Sequence, residues 1–334
     1  MYSKQFSLQT YNTFGIDVTA HAFFEYSDMQ ECVDFFRTQR YKGPIFILGG
    51  GSNVLFTKDF PGTIIHPNNK GIAIVDENQD TVFVSVAAGE VWDDFVAWAV
   101  QHNLYGIENL SLIPGSVGAS AVQNIGAYGV EAKDCIYEVM FYDAHADKMN
   151  TFSNEECEFG YRSSFFKKNP DALFCISHVV FALSKKENYH LEYGNIKNIL
   201  DDSLPLSLLQ VRNAIVSVRE SKLPNPEVLG NAGSFFKNPV VSKEKADEIR
   251  KMFPHMVSFS VSETDVKIAA GWLLDELGCK KFREGDAAVH QKQALVLVNL
   301  GNASGSDFVR LAERIIRHVN SKVGIELEPE VIFL

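Results

Sequence analysis

Pro44-Ile45-Phe46-Ile47-Leu48-Gly49-Gly50-Gly51-Ser52-Asn53-Val54-Leu55-Phe56 sets a short apolar run directly against three glycines, a serine and an asparagine. An apolar run of that length closed by a glycine cluster reads as a buried strand feeding a tight loop. Upstream, Ser27 to Arg40 reads as a helix, with Ser27 and Gln30 placed for a capping box, so the local order is helix, strand, glycine loop. Downstream, Thr63 to Ala88 carries alternating or β-branched runs such as Thr81-Val82-Phe83-Val84-Ser85-Val86, which favour strands. A helix over Val91 to His102 follows, with Trp92, Phe95, Val96 and Ala99 on one face, and then strand-like segments at Cys135 to Tyr142 and Leu173 to Leu183. The first two hundred residues therefore predict an α+β fold.

Pro205, Pro224 and Pro226 punctuate the middle of the chain. Beyond them the pattern predicts helices over Ser242 to Phe253, Asp265 to Leu277 and Ser306 to Val323, with a buried-type strand at Ala294 to Asn299. In the last helix Ser306 is the expected cap, Phe308, Leu311, Ile315 and Val319 step along one face, and Gly324 sits where a C-terminal glycine belongs. Domain boundaries are expected near Leu223 and Gly324, and Ile325 to Leu334 as a strand returning to the earlier domain.

Composition narrows the function. The 334 residues carry 42 acidic against 31 basic side chains, a formal charge of −11, which repels a phosphate backbone over most of the surface and argues against nucleic acid. Cys32, Cys135, Cys157, Cys175 and Cys279 are odd in number, widely spaced and free of a Cys-x-x-Cys pair, so neither a disulfide framework nor a metal site is expected. Met1 to Asn12 lacks the pattern of a signal peptide, and no segment nears the roughly 18 apolar residues of a membrane span. The cytoplasm is the expected compartment.

Five features carry possible chemistry. In the loop of Gly49, Gly50, Gly51, Ser52 and Asn53, successive amides could cradle a pyrophosphate, or simply form a β-turn. Ile113 to Gly129 is seventeen residues of small side chains and amides without a charge, suited to a large flat cofactor or to tight packing against a helix. Arg162, Lys167, Lys168, Arg212, Arg219, Lys222 and Lys237 form a basic set that could hold a diphosphate and a carboxylate, although Lys167 and Lys168 read better as a solvated face. Gly230-Asn231-Ala232-Gly233-Ser234-Phe235-Phe236-Lys237-Asn238-Pro239 holds a serine behind two glycines; with no nucleophile-elbow pattern, Ser234 reads as a proton donor, a ligand partner or a turn cap. Glu330, after Pro329, is either an edge-strand charge or a buried carboxylate.

Those segments, with Gly160-Tyr161-Arg162, Lys222-Leu223-Pro224, Ala270-Gly271-Trp272-Leu273, His290, Gln293-Ala294-Leu295-Val296 and Glu328-Pro329-Glu330-Val331, resemble the UDP-N-acetylenolpyruvoylglucosamine reductase family. The likeness runs in one order from Asn12-Thr13-Phe14-Gly15 to Glu330. It implies a flavoenzyme of cytoplasmic peptidoglycan precursor synthesis, acting in cell-wall biogenesis and division. NADPH would reduce non-covalent FAD, which then reduces UDP-N-acetylglucosamine enolpyruvate, both substrates using one pocket in turn. The implied fold is a two-part vanillyl-alcohol-oxidase-like FAD-binding domain, residues 1–68 and then 69–223 with 324–334, plus a smaller α/β substrate-binding domain, 224–323.

By motif, the resemblance assigns Arg162, Ser234 and Glu330 to catalysis. To FAD it assigns Gly49 to Asn53 together with Gly115, Ser116, Gly118, Ser120, Asn124 and Gly126. To the substrate it assigns Tyr128, Tyr193, Arg219, Lys222, Asn238 and Gln293, Tyr193 marking the subgroup with a tyrosine-bearing loop. It implies no metal, no membrane and a monomer. Ile332 departs from the family, many members of which carry arginine there. Two rivals are another reductase on the same flavin scaffold, which predicts a poor match over Lys222 to Pro239, and a non-enzymatic flavin binder, which predicts loss of Arg162, Ser234 or Glu330.

Overall fold

A computed structural model describes residues 1–39, 41–192, 196–200 and 206–334. The expected substrate residue Tyr193 and the punctuating Pro205 lie outside the described residues. The chain forms two compact units, one of Met1–Phe6, Ala20–Gly50 and Pro61–Ser221, the other of Ser7–Thr19, Gly51–Phe60 and Lys222–Leu334. The tail 324–334 thus groups with 222–323, as do 7–19 and 51–60.

Among the described residues the first unit carries two larger sheets. One runs in the order Tyr2–Ser7, Thr19–Tyr26, Phe60–Pro67, Ile45–Ile47, its last pair parallel; the other runs Lys148–Ser153, Ile136–Asp143, Phe174–Ser184, Thr81–Ala87, Ile72–Glu77, antiparallel throughout. Helix Trp92–Gln101 packs its stripe into this unit: Trp92, Phe95, Val96 and Ala99 are fully buried with Phe181 and Val84, and the Trp92 indole donates to the Leu110 carbonyl at 2.9 Å. A smaller cluster of Phe24, Tyr26, Phe35, Phe36 and Tyr142 encloses Cys32 and Cys175. The helix predicted from Ser27 spans Met29–Arg37 and is capped one residue later than expected. Asp28 accepts from the Gln30 amide at 2.6 Å, and Glu31 accepts from the Ser27 amide at 3.2 Å.

The second unit holds a sheet ordered Asn231–Ser234, Val296–Asn299, Ala287–Val289, Arg283–Glu284, and a three-stranded sheet centred on Asp265–Ile268. That central strand corrects the helix expected over Asp265 to Leu277, which begins only at Ala270 and ends at Glu276. Val266 and Ile268 are buried while Asp265 and Lys267 are not, a period of two that a helix could not bury. Helix Gly305–Val323 has the expected stripe and a left-handed Gly324 at φ 63°, but its cap is Ser304, paired with Asp307 in a capping box. The predicted terminal strand shrinks to Ile332–Phe333, pairing in parallel with Val54–Leu55, because Pro329 interrupts the ladder and makes only an isolated bridge to Phe236.

Asp28→Ala is expected to lower the stability of the first unit by about 1 kcal/mol while Ser27→Ala stays within about 0.5 kcal/mol, as read from urea unfolding midpoints.

Candidate active site

In the first unit the two glycine-rich segments meet each other. A Cβ on Gly49 would lie 2.7 Å from the Ser116 Oγ, and one on Gly50 2.8 Å from the Gly115 Cα. Glycine is therefore needed at position 50 for backbone to pass backbone and at 49 to clear the Ser116 and Ala119 side chains, a requirement separate from any ligand. Among the described residues the amides of Gly49 and Gly50 donate to no protein acceptor, and Ser116, at the N-cap of helix Val117–Gln123, makes no capping bond with its side chain. Open amides and an uncommitted hydroxyl with no charge nearby in sequence fit a phosphate-bearing flavin cofactor.

Not every expected cofactor residue is available. The Ser120 hydroxyl is buried and donates to the Val117 carbonyl at 2.6 Å. Asn124, fully buried in the left-handed region at φ 46°, donates to Gly160 O at 2.8 Å and Glu131 Oε2 at 3.1 Å, and accepts from the Lys133 amide at 3.0 Å. Its amide is spent on protein, holding the turn that carries Arg162. In the second unit Asn53 donates to the Glu330 carbonyl at 3.3 Å and accepts from the Ile332 amide at 3.0 Å, while Gly51 accepts from the Thr13 amide at 3.1 Å.

Arg162 sits in a two-residue turn closed by the Gly160–Ser163 pair, at φ 52°, with its guanidinium donating to Gly126 O at 2.8 Å. Gly126 opens a small hairpin, Gly126–Ala127 against Val130–Glu131, whose tip, Tyr128 at φ 49° and Gly129 at φ 83°, has the two left-handed residues of a type I′ turn. Asn109, buried beneath it, donates to the Tyr128 carbonyl at 2.9 Å and to the His190 carbonyl at 2.7 Å.

Helix Leu208–Lys222, which sequence reasoning did not anticipate, brings a second cation to the same hairpin. Arg219 hydrogen-bonds Tyr128; burial pulls its guanidinium below the usual arginine value, and Tyr128 and Asp93 partly restore it. Its Nε is buried without a protein partner, a donor that an anionic ligand would satisfy. Two turns earlier Arg212 clamps Asp93 with two bonds of 2.7 and 2.8 Å, and Asp93 also accepts from the Leu112 amide at 2.5 Å. Burial alone would raise the Asp93 carboxyl, but Arg212 and the Leu112 amide hold it below the ordinary carboxylate value.

In the second unit strand Asn231–Ser234 pairs with Val296–Asn299 through a bulge between Asn231 and Ser234. Gly233, left-handed at φ 65°, supplies the extra residue, and its amide is fixed by Asn231 Oδ1 at 2.9 Å. The bulge leaves Ser234 exposed while Phe235 and Phe236 are each 1% exposed. The next residues pair with the C-terminal segment: Glu330 N donates to Phe235 O at 2.8 Å and Lys237 N to Glu328 O at 2.9 Å. Ser234 and Glu330, distant in sequence, thus lie on adjoining backbone segments, with Glu330 half-buried.

The remaining expected substrate residues are separately placed. Asn238 accepts from the Ala270 amide at 2.9 Å, capping helix Ala270–Glu276, and Gln293 accepts from the Leu295 amide at 3.3 Å. Lys222 is exposed. Lys168 pairs with Glu158 on the surface, whereas Lys167 reaches Gln123 Oε1 at 2.5 Å and Arg162 O at 3.0 Å and is no solvated charge. Among the described residues no group of three His, Cys, Asp or Glu side chains could hold a metal, and no helix is long and apolar enough to cross a membrane.

Comparison with known proteins decides the family. The chain is 46% identical to UDP-N-acetylenolpyruvoylglucosamine reductase of Bacteroides fragilis (strain YCH46), over 99% of each sequence, and 44% identical to that of Flavobacterium johnsoniae, over 98% of each. This chain belongs to the UDP-N-acetylenolpyruvoylglucosamine reductase family. The family's C-terminal domain matches residues 225–334, and an FAD binding domain matches 20–147. The crystal structure of the reductase from Thermus caldophilus shares the fold, with a TM-score of 0.70 at 24% identity, covering 100% of this chain and 98% of that one. The chain is accordingly an α+β oxidoreductase of peptidoglycan precursor synthesis with an FAD-binding domain. Ile332, where the resemblance leads one to expect arginine, gives its amide to Asn53 in the terminal strand.

Because the folded Asp93 carboxyl is depressed, its stabilising contribution is complete above the unfolded value of about 3.9 and fades as pH falls through the lower folded value. The stability gap between wild type and Asp93→Asn, about 3 kcal/mol near neutrality, should hold to about pH 4 and shrink below it in urea titrations.

Proposed function

We propose that this reductase converts UDP-N-acetylglucosamine enolpyruvate to UDP-N-acetylmuramate at the expense of NADPH, the two substrates using one pocket in turn. The reading is carried by the pairing of the Ser234–Lys237 segment with the Glu328–Glu330 segment, which sets a hydroxyl donor and a carboxyl group on neighbouring backbone segments in a chain of this family. The Gly49 and Gly50 amides and the Ser116 hydroxyl would hold the cofactor, with Gly115 and Gly118 keeping the loop narrow; Gly51, Ser52, Asn53 and Gly126 are assigned to it as well, while Ser120 and Asn124, the remaining assigned residues, spend their side chains on protein. When bound, FAD supplies a hydride donor that NADPH reloads.

Saturating the enolpyruvyl double bond needs a hydride at the β-carbon and a proton at the α-carbon, with negative charge spreading toward the carboxylate between the two events. Arg162 meets that charge as a fixed cation, and Glu330 as a hydrogen-bonding acid. Ser234 gives its proton to the α-carbon, a step that needs fixed geometry because a hydroxyl is a weak acid. The bulge at Gly233 and the pairing of Ser234 with Val296 hold the backbone that carries the hydroxyl. Arg219, with its unpartnered Nε, and Tyr128 bind the UDP-sugar, as do Lys222, Asn238, Gln293 and Tyr193. The finer division into 1–68, 69–223 with 324–334, and 224–323, the monomeric state and the cytoplasmic setting belong to the same proposal.

Purified protein should be yellow, bleach anaerobically with NADPH and regain colour on adding the enolpyruvyl sugar; a flavin that stays reduced after the sugar is added would sink the substrate assignment. Ser234→Ala should bleach at nearly the wild-type rate but recolour ~10² or more slower, whereas equal slowing of both half-reactions would remove Ser234 from its role.

A further inference from the structure

Arg162 occupies the third position of a four-residue turn at φ 52°, a place that turns of types II and I′ reserve for glycine or asparagine. A non-glycine residue stays there only when its surroundings over-determine it. Those surroundings are specific. Asn124 Nδ2 holds the Gly160 carbonyl at 2.8 Å, one side of the turn, and Lys167 Nζ holds the carbonyl of Arg162 itself at 3.0 Å. Lys167 is anchored at both ends. Its amide donates to the hydroxyl of Ser164 at 3.2 Å, that hydroxyl donates to Val122 O at 2.7 Å, and its ammonium also bonds Gln123 Oε1 at 2.5 Å. Ser164 is completely buried, so the frame behind the lysine is rigid. The carbonyl that Lys167 grips belongs to the peptide leaving the Arg162 Cα, and its orientation sets ψ at that residue.

We propose that Lys167 is a positioning residue for the enolpyruvyl half-reaction: by fixing the Arg162 peptide in the left-handed conformation it aims the guanidinium, and it takes no part in flavin reduction. The proposal rests on the role given to Arg162 above. Lys168 serves as an internal control, being adjacent in sequence and of the same charge but paired with Glu158 at the surface.

Both half-reactions are followed by flavin absorbance in wild type, Lys167→Met, Lys168→Met, Arg162→Ala and the Arg162→Ala/Lys167→Met double variant. Lys167→Met should bleach with NADPH within about twofold of wild type and recolour with the enolpyruvyl sugar ~10- to 100-fold slower, since small misplacement of a catalytic group costs that much. Lys168→Met should match wild type in both. In the Arg162→Ala background, Lys167→Met should add less than about twofold, because the lysine acts only through the arginine. Additive losses would show a direct electrostatic role and overturn the proposal, as would a Lys167→Met enzyme that recolours normally. Should Lys167→Met not accumulate in folded form, Lys167→Gln, neutral but polar, takes its place in the same cycle: slow recolouring that vanishes in the Arg162→Ala background supports the proposal, and normal recolouring or additive loss overturns it. A wild-type flavin that the sugar fails to recolour defeats the substrate reading instead, and an Arg162→Ala enzyme that recolours normally defeats the arginine's role; either failure is visible before any lysine variant is compared.

Discussion

The amide of Glu330 reaches the carbonyl of Phe235, and that of Lys237 reaches the carbonyl of Glu328, so the last residues of the chain are stitched to a segment almost a hundred positions earlier. The roles proposed for Ser234 and Glu330 depend on this pairing. Phe235 and Phe236 are sealed beneath it, Phe235 beside Phe14 and Phe333, which removes any freedom for Ser234 to slide along the strand. From the other side Asn53 grips the Glu330 carbonyl and the Ile332 amide, and the Leu334 carbonyl accepts from both the amide and the hydroxyl of Thr57. Backbone pairing of this kind fixes where the two side chains start, which is what groups acting on neighbouring atoms of one substrate require.

The first unit solves a related problem by different means. Asn124, Tyr128 and Arg162 all lie in the left-handed region, where each costs of order 1 kcal/mol, and each is held by bonds from outside its own turn. Asn124 is bonded on both faces of its amide, Tyr128 is held by Asn109 through its carbonyl, and Arg162 by Lys167. The hairpin between them links two arginines of which one, Arg219, has a buried nitrogen that the protein leaves open.

Much of this was legible from residue pattern. The stripe of Trp92, Phe95, Val96 and Ala99, and that of Phe308, Leu311, Ile315 and Val319, could be read directly because a helix buries one face and little else explains the spacing. Asp265 to Leu277 misled because Val266, Ile268, Ala270 and Leu273 suit either period, and only the flanking strands Val240–Ser242 and Ser258–Ser260 choose the strand. Caps slipped by a residue or two where several polar candidates adjoin, as with Ser27 beside Asp28 and Ser306 beside Ser304. Lys167 could not be told from Lys168, since whether a lysine meets water or a carbonyl is decided by residues 122–126, far off in sequence. The glycines of Gly49 and Gly50 were read for a ligand, and half of their reason is the neighbouring loop.

The left-handed Arg162 has a consequence for anyone improving this protein. Glycine would adopt that backbone without strain, so the left-handed strain is carried for the sake of the guanidinium, the group that turnover is proposed to need. A stability screen that scored Arg162→Gly would set the relief of backbone strain against the lost bond to Gly126 O and a freer unfolded chain, and would register nothing of the missing cation unless activity were read beside it.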